Sequence, residues 1–446
     1  MRFLLSVFYL LLLGRLFVLD AVLEPTNDEG LWQWNARCEQ WDLPAHGILH
    51  SALSPVNHGI NRVLFSLASP SVLAKRIFCS LLVAAAAGFA CLRLMRQGNA
   101  AGAAMLLAWL WLDPYLFRMG SWAILEPLLM FGIVAWYLRA SRAEFSLLDI
   151  LFLGFLTGLL IGVKLTMIWL PAGMCASLLF SRKFKELALF IFATAGVIAI
   201  AYVSVYLSVD HDRFKEIWRQ HMVARTAPVA NLLALFRGLP DFRSAFYTAT
   251  ALVGCGWCLW RSFRSGRALG PAVWAVLAGL TALATQSCRP ERYLFPIAFL
   301  SLLTALDAGL LRKCHRHLVA FCLLLAMGAN VFWWRSFVIS PANAGGWTVH
   351  AKLQTAAAQG RIIAAPPSLA LDLRCPVQPT STGILALPAA ENYHPDVLAL
   401  QIEAAEPAQE DSRMTAELIS RQATTTSKGF YRLYEAPEVS PPNRVP

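Results

Sequence analysis

Two adjacent carboxylates, Asp28 and Glu29, directly follow the first apolar run of the chain, within residues 24–30. Carboxylates are strongly hydrated, so a chain this apolar has little structural reason to place a pair there. A carboxylate within hydrogen-bond reach of a hydroxyl can take its proton as a general base. Three later stretches supply groups that suit an anionic partner. Arg118 precedes Glu126 and Pro127, and Glu126 is expected about two turns into an apolar run, where an acid faces a polar cavity or a cation such as Arg118. Lys164 closes a run with Gly154, Gly158 and Gly162, a spacing that lets helices approach closely, and it offers a point charge to a lipid phosphate. Residues 287–293 place Arg289, Arg292 and Tyr293 in one short loop, and arginine suits bidentate phosphate binding.

Each feature has a plainer reading. Asp28 and Glu29 also read as interfacial acids at a helix exit. Glu126 also reads as half of a packing ion pair. Lys164 also reads as a snorkelling side chain, and the two arginines as ordinary loop cations.

The elements that must position these residues are helices in a bilayer. The 446 residues are 57% hydrophobic and 15% charged, with a mean hydropathy of +0.53. Soluble domains carry about 25% charged residues, so the composition excludes a soluble enzyme and points to a polytopic membrane protein. The net charge of +11 does not argue for nucleic acid, because the basic residues cluster in short loops between apolar runs. Eleven runs are long enough, or nearly so, to span: 3–23, 72–92, 100–117, 122–138, 147–163, 165–180, 187–209, 245–260, 271–285, 293–311 and 318–334. The two runs around Lys164 also read as one broken helix.

Arg93 and Arg96, Arg139 and Arg142, Arg182 to Lys185, Arg261 to Arg267, and Arg312 to Arg316 fall on alternate loops. The positive-inside rule makes those loops cytoplasmic, with the N-terminus inside and the C-terminus outside. The N-terminal run lacks a cleavage site and reads as a retained helix.

This topology divides the chain into a membrane module, 1–336, a small external α/β domain, 337–436, and a disordered tail, 437–446. Within the module, the external loop 24–71 carries Trp32, Trp34, Trp41 and later apolar residues at helical spacing, the pattern of amphipathic helices lying on a membrane surface. Residues 210–244 form a second large external loop. In the external domain, 361–365, 383–387 and 429–434 read as strands, and 395–406 and 412–424 as helices.

Most of the ten cysteines lie inside apolar runs and read as small packing residues. Cys255 and Cys258 have redox spacing in the middle of a helix, the wrong context for that chemistry. Cys38, Cys288 and Cys375 fall on the external side, where a disulfide among them is allowed. His46 and His50 share a helical face, but two histidines do not complete a zinc site.

The acid pair after the first helix resembles the signature of GT-C glycosyltransferases. Arg118 with the later Glu126 and Pro127, the Gly-spaced run ending at Lys164, and the stretch from Arg289 to Pro296 resemble the same superfamily in the same order. The nearest likeness is to the dolichyl-phosphate-mannose–protein mannosyltransferases and their bacterial relatives, including aminoarabinose transferases, and it covers roughly residues 1–311. The loop residues His46, His50 and His58 and the C-terminal domain match no signature of that superfamily.

The resemblance implies an all-α polytopic GT-C fold of about 11 membrane helices with the small external α/β cap. It implies an inverting transfer of a sugar from a polyprenyl-phosphate carrier to an acceptor hydroxyl on the non-cytoplasmic face, in a bacterial inner membrane. In that setting Asp28 is the base and Glu29 a supporting acid, while Lys164, Arg289 and Arg292 stabilise the leaving phosphate. The acceptor class is open between glycolipid, polysaccharide and protein. No cofactor is implied, and a divalent ion beside Asp28 is left open. The alternative function is a transporter or flippase for a lipid-linked or anionic substrate, which calls for charges in broken helices at mid-membrane.

Overall fold

The computed structural model describes residues 2–23, 27–44, 53–113, 125–142, 144–208, 215, 242–266, 268–284, 291–312, 314, 316–337, 345–380, 393–401, 409–428 and 431–437. The chain divides into two compact units. The first comprises Met1–Asp20, Ala52–Asn57 and Arg76–Trp333. The second comprises Ala21–Ser51, His58–Lys75 and Trp334–Pro446.

The first unit is helical. Each of the eleven apolar runs falls on a helix, from Arg2–Val22 to Arg316–Phe337. Among the described residues, three of these helices, at Phe3–Ala21, Val72–Arg96 and Phe184–Val203, are long and apolar enough to cross a membrane. In the first helix Leu5, Phe8, Leu12, Leu16 and Leu19 are buried while Phe3, Leu10, Leu11 and Val18 stay exposed. Both faces are apolar, so one packs against protein and the other suits lipid. Close packing uses the small-residue stripe. A Cβ on Gly154 would lie 2.9 Å from the Phe190 carbonyl oxygen, and one on Gly158 would lie 3.0 Å from that of Thr194. The Leu147–Val163 helix therefore rests directly on the backbone of Phe184–Ser208.

Several charged and polar groups inside this unit are paired. Arg15 donates to Asn330 Oδ1 at 2.5 Å and to the Trp111 carbonyl at 3.3 Å. Tyr247 donates to Asp113. At the helix ends that carry the loop arginines, Arg93 meets Asp307 at 3.2 Å, and Arg139 and Arg142 meet Asp149 at 2.6 and 3.0 Å.

The second unit is a three-layer α/β/α domain. Its sheet runs in the order β2-β1-β3-β5-β4, with β1 at Ile363–Ala365, β2 at Val377–Pro379, β3 at Val397–Gln401, β4 at Thr424–Lys428 and β5 at Tyr431–Glu435. Strand β1 is parallel to β2 and β3, and β5 is antiparallel to β3 and β4. Side chains alternate across the sheet. Ile363, Ala365, Val397, Ala399 and Leu433 join a core with Val349 and Leu353 of the Gly346–Ala358 helix, and with Leu31, Trp34 and Cys38 of the first loop. Ala364, Leu398 and Tyr434 pack on the other side with Met414 and Leu418 of the Gln409–Ser420 helix.

Several expectations change here. The helical spacing in the first loop is real, at Asn27–Leu31, Trp34–Gln40 and Pro55–Leu67, but its apolar stripe packs into the α/β core. Residues 395–406 were expected as a helix, and Val397–Gln401 is the central strand β3. A short apolar run buried on both faces carries no period to separate helix from strand. The helix expected at 412–424 ends at Ser420, and Thr424 begins β4. Strand β2 was not foreseen, and 383–387 lie outside the described residues.

Cys38 and Cys375 are free thiols, as are Cys255 and Cys258. Burial pushes the Cys38 and Cys375 thiols up. Cys288, His46 and His50, most of 210–244 and the tail from 438 lie outside the described residues.

Candidate active site

Asp28 and Glu29 sit on a helix of five residues, Asn27–Leu31. So short a helix is not stable by itself, because nucleation is unfavourable. Its position is set by packing, and the decisive residue is Gly30. A Cβ there would lie 2.0 Å from the Ser368 amide nitrogen and 2.3 Å from the Pro367 carbonyl carbon. The backbone of the acidic helix therefore lies directly on the short Pro367–Ala370 helix, with no room for a side chain between them.

Other bonds fix the flanks. Trp347 Nε1 donates to the Leu23 carbonyl at 3.2 Å. Gln33 Nε2 donates to the Glu29 carbonyl at 2.7 Å. Arg37, stacked over Trp34 at 4.5 Å, donates to the carbonyls of Leu373 and Cys375 at 2.5 and 3.0 Å. Glu29 is fully buried, whereas the Asp28 side chain lies outside the described residues.

In the first unit the structure brings Glu126 and Lys164 together, with Lys164 Nζ donating to Glu126 Oε1 at 2.8 Å. Glu126 is not two turns inside a helix. It is the first residue of Glu126–Ala140, with Pro127 immediately after it in the first turn. Proline fits there because the first amides of a helix have no intrahelical acceptor. Lys164 breaks its own helix. Leu147–Val163 ends at an extended Lys164, with φ −153° and ψ 113°, before a 3-10 turn at Leu165–Ile168 and the helix Trp169–Phe180. A break at Lys164 thus separates the two runs. An acid at a helix N-terminus and a cation at a helix C-terminus are each favoured by the local dipole. Both side chains are nearly buried, at 6% and 13% exposure, so the pair is a desolvated one.

Arg118 and Arg289 lie outside the described residues, as do the side chains of Arg292 and Tyr293 in the first turn of Glu291–Asp307. Among the described residues no group of three or more His, Cys, Asp or Glu is placed to hold a metal ion.

Sequence reasoning passed over several buried polar groups. Lys75 Nζ donates to Asn61 Oδ1 at 2.6 Å, and Asn61 Nδ2 donates to the Trp32 carbonyl at 2.8 Å, in the turn just after the acidic helix. Arg15 and Arg76 are likewise buried, the latter donating to the Asp20 carbonyl at 3.1 Å. The signal was available, since an ionisable residue inside an apolar run is costly and marks a built polar site.

Comparison of the sequence with protein-family models and with curated proteins finds no match. Comparison of the structure finds ArnT from Cupriavidus metallidurans. Its apo crystal structure matches with a TM-score of 0.65 and 15% identity, covering 96% of this chain and 97% of that one. The structure of the same protein bound to undecaprenyl phosphate matches with a TM-score of 0.66 and 15% identity, covering 98% and 99%. The fold is therefore that of ArnT.

Proposed function

We propose that this chain is a GT-C glycosyltransferase of a bacterial inner membrane, transferring a sugar from a polyprenyl-phosphate carrier to an acceptor hydroxyl. The observation that carries this reading is the fold match over 98% of the chain to a protein whose structure holds undecaprenyl phosphate. The acid pair at the start of the second unit supplies the chemistry. One carboxylate, assigned to Asp28, takes the proton of the acceptor hydroxyl as its oxygen attacks the anomeric carbon. The bond from that carbon to the phosphate oxygen breaks, and the lipid monophosphate leaves with the bonding electrons. A single displacement inverts the anomeric centre. Glu29 is the supporting acid. Lys164, with Arg118, Arg289, Arg292 and Tyr293, is assigned to the phosphate, where cations offset the growing charge. Glu126 holds Lys164 through their ion pair. The reaction lies on the non-cytoplasmic face, with the N-terminus inside and the C-terminus outside.

The test is transfer of labelled sugar from a panel of polyprenyl-phosphate donors by the purified protein, beside Asp28→Asn. The variant is expected to lose about 10²–10⁴-fold in kcat, the usual worth of a general base. Wild-type activity in the variant would sink the assignment. The break at Lys164 also suits a transporter. Movement of a lipid-linked sugar across vesicles, without turnover of any donor, would favour that reading.

A further inference from the structure

Two side chains of the Gly346–Ala358 helix, three residues apart, hold the chain on either side of the seat of the acidic helix Asn27–Leu31. Trp347 holds the Leu23 carbonyl ahead of the acids. His350 lies one turn further on, edge-on to the Trp347 ring at 5.8 Å. Its Nδ1 is 2.8 Å from the Leu369 carbonyl oxygen, and its Nε2 is 3.1 Å from Asp372 Oδ2. A carbonyl and a carboxylate both accept, so filling both contacts requires a hydrogen on each ring nitrogen, which is the imidazolium. Burial pushes the ring toward neutrality, but the hydrogen bond and charge of Asp372, with the Leu369 carbonyl, outweigh it and leave the pKa raised. Leu369 and Asp372 belong to the turn on which the Gly30 backbone rests.

We propose that His350 is a positioning residue for sugar transfer: by gripping Leu369 and Asp372 together it fixes the Pro367–Leu373 turn, and that turn seats the helix carrying Asp28 and Glu29. The proposal rests on the transferase reading and goes beyond it by making transfer depend on the charge of one distant ring. The charge acting on His350 is Asp372. Asp372 also accepts from Gln354 at 3.1 Å and feels Arg37 of the Trp34–Gln40 helix. Lys352, on the same helix as His350, is paired with Glu435 at 3.0 Å. A ring whose folded pKa is raised contributes its full effect below the ordinary value of about 6.5 and loses it as pH rises through the folded value.

The experiment uses the full-length protein in nanodiscs across a pH series. Two quantities are read: hydrogen–deuterium exchange of the peptide covering residues 27–33, corrected for intrinsic rate, and kcat for labelled-sugar transfer. As pH rises through the folded pKa, protection of that peptide and kcat are expected to fall together by about tenfold, the worth of one charge-assisted hydrogen bond, with KM for the donor unchanged. His350→Gln, which keeps one donor, is expected to sit at the lowered level at every pH, without the step. The wild-type series stands alone should that variant fail to fold. A flat exchange profile in an enzyme that transfers sugar would overturn the role of His350 and leave the transferase reading intact. A step in exchange without transfer from any donor would overturn the transferase reading and, with it, the catalytic part of this proposal.

Discussion

Glu126 and Glu29 are both buried acids, 5% and 0% exposed, but they are held in different ways. Glu126 opens a helix of 15 residues, and its carboxylate is answered by the Lys164 ammonium at 2.8 Å. Charge balance and two helix dipoles define that site. Glu29 lies on a helix of five residues, where neither length nor dipole suffices. There the backbone of Gly30 presses on that of Ser368, and carbonyls of the flanking turns are held by Trp347, His350 and Arg37. The first arrangement is sensitive to the loss of either partner but tolerates removal of both. The second is sensitive to a single methyl group.

Glu126→Leu should break the comparison most visibly. It takes from Lys164 its carboxylate partner in a nearly dry setting, and removing one member of a buried pair costs about 3–5 kcal/mol. The double change of Glu126→Gln with Lys164→Met removes both charges and should recover most of that loss, read from unfolding midpoints in detergent. Transfer activity should not return with it, because Lys164 is assigned to the donor phosphate. Joint recovery of stability and transfer would make the pair a packing device only.

In the second unit, Gly30→Ala should cost about 1–3 kcal/mol by overpacking, because a Cβ at 2.0 Å from a backbone nitrogen meets an atom that cannot rotate away. Exchange protection of residues 27–33 should fall with it. A variant with unchanged protection would show that the two short helices are not wedged together.

How far the sequence announced these features follows from what kind of interaction makes them. Helices of the first unit were legible because each buries or exposes a long apolar run, and the stripe of Gly154 and Gly158 announced its own close contact. The acids at 28 and 29 stood out in the sequence, since charge at a membrane exit is costly. The ion pair between Glu126 and Lys164 was not, because the residues are 38 apart and Arg118 stood nearer in sequence. The core shared by Trp34 and Leu353 was also hidden. A helical apolar stripe states that it must be covered, and it does not say whether lipid or a domain some 300 residues later covers it. Strand β3 failed for a related reason, since Val397 to Leu400 is apolar without a period.

The smallest effect sharpens the contrast by reversing its sign. Gly59 lies inside the Pro55–Leu67 helix of the same unit as Gly30, yet a Cβ there meets nothing within 4 Å. It would project into a cleft of about 410 Å³ lined by Ala36, Glu39, Gln40, Arg62, Val63 and Ser66. With no clash to oppose it, what decides the outcome is the backbone freedom that glycine gives the unfolded chain. Alanine in a helix interior is better by roughly 0.5–1 kcal/mol. Gly59→Ala should therefore raise the unfolding midpoint of the second unit while Gly30→Ala lowers it. Loss of stability in both would mean that the cleft beside His58 closes around its occupant more tightly than its lining suggests, and that Gly59, like Gly30, marks a place where chain meets chain.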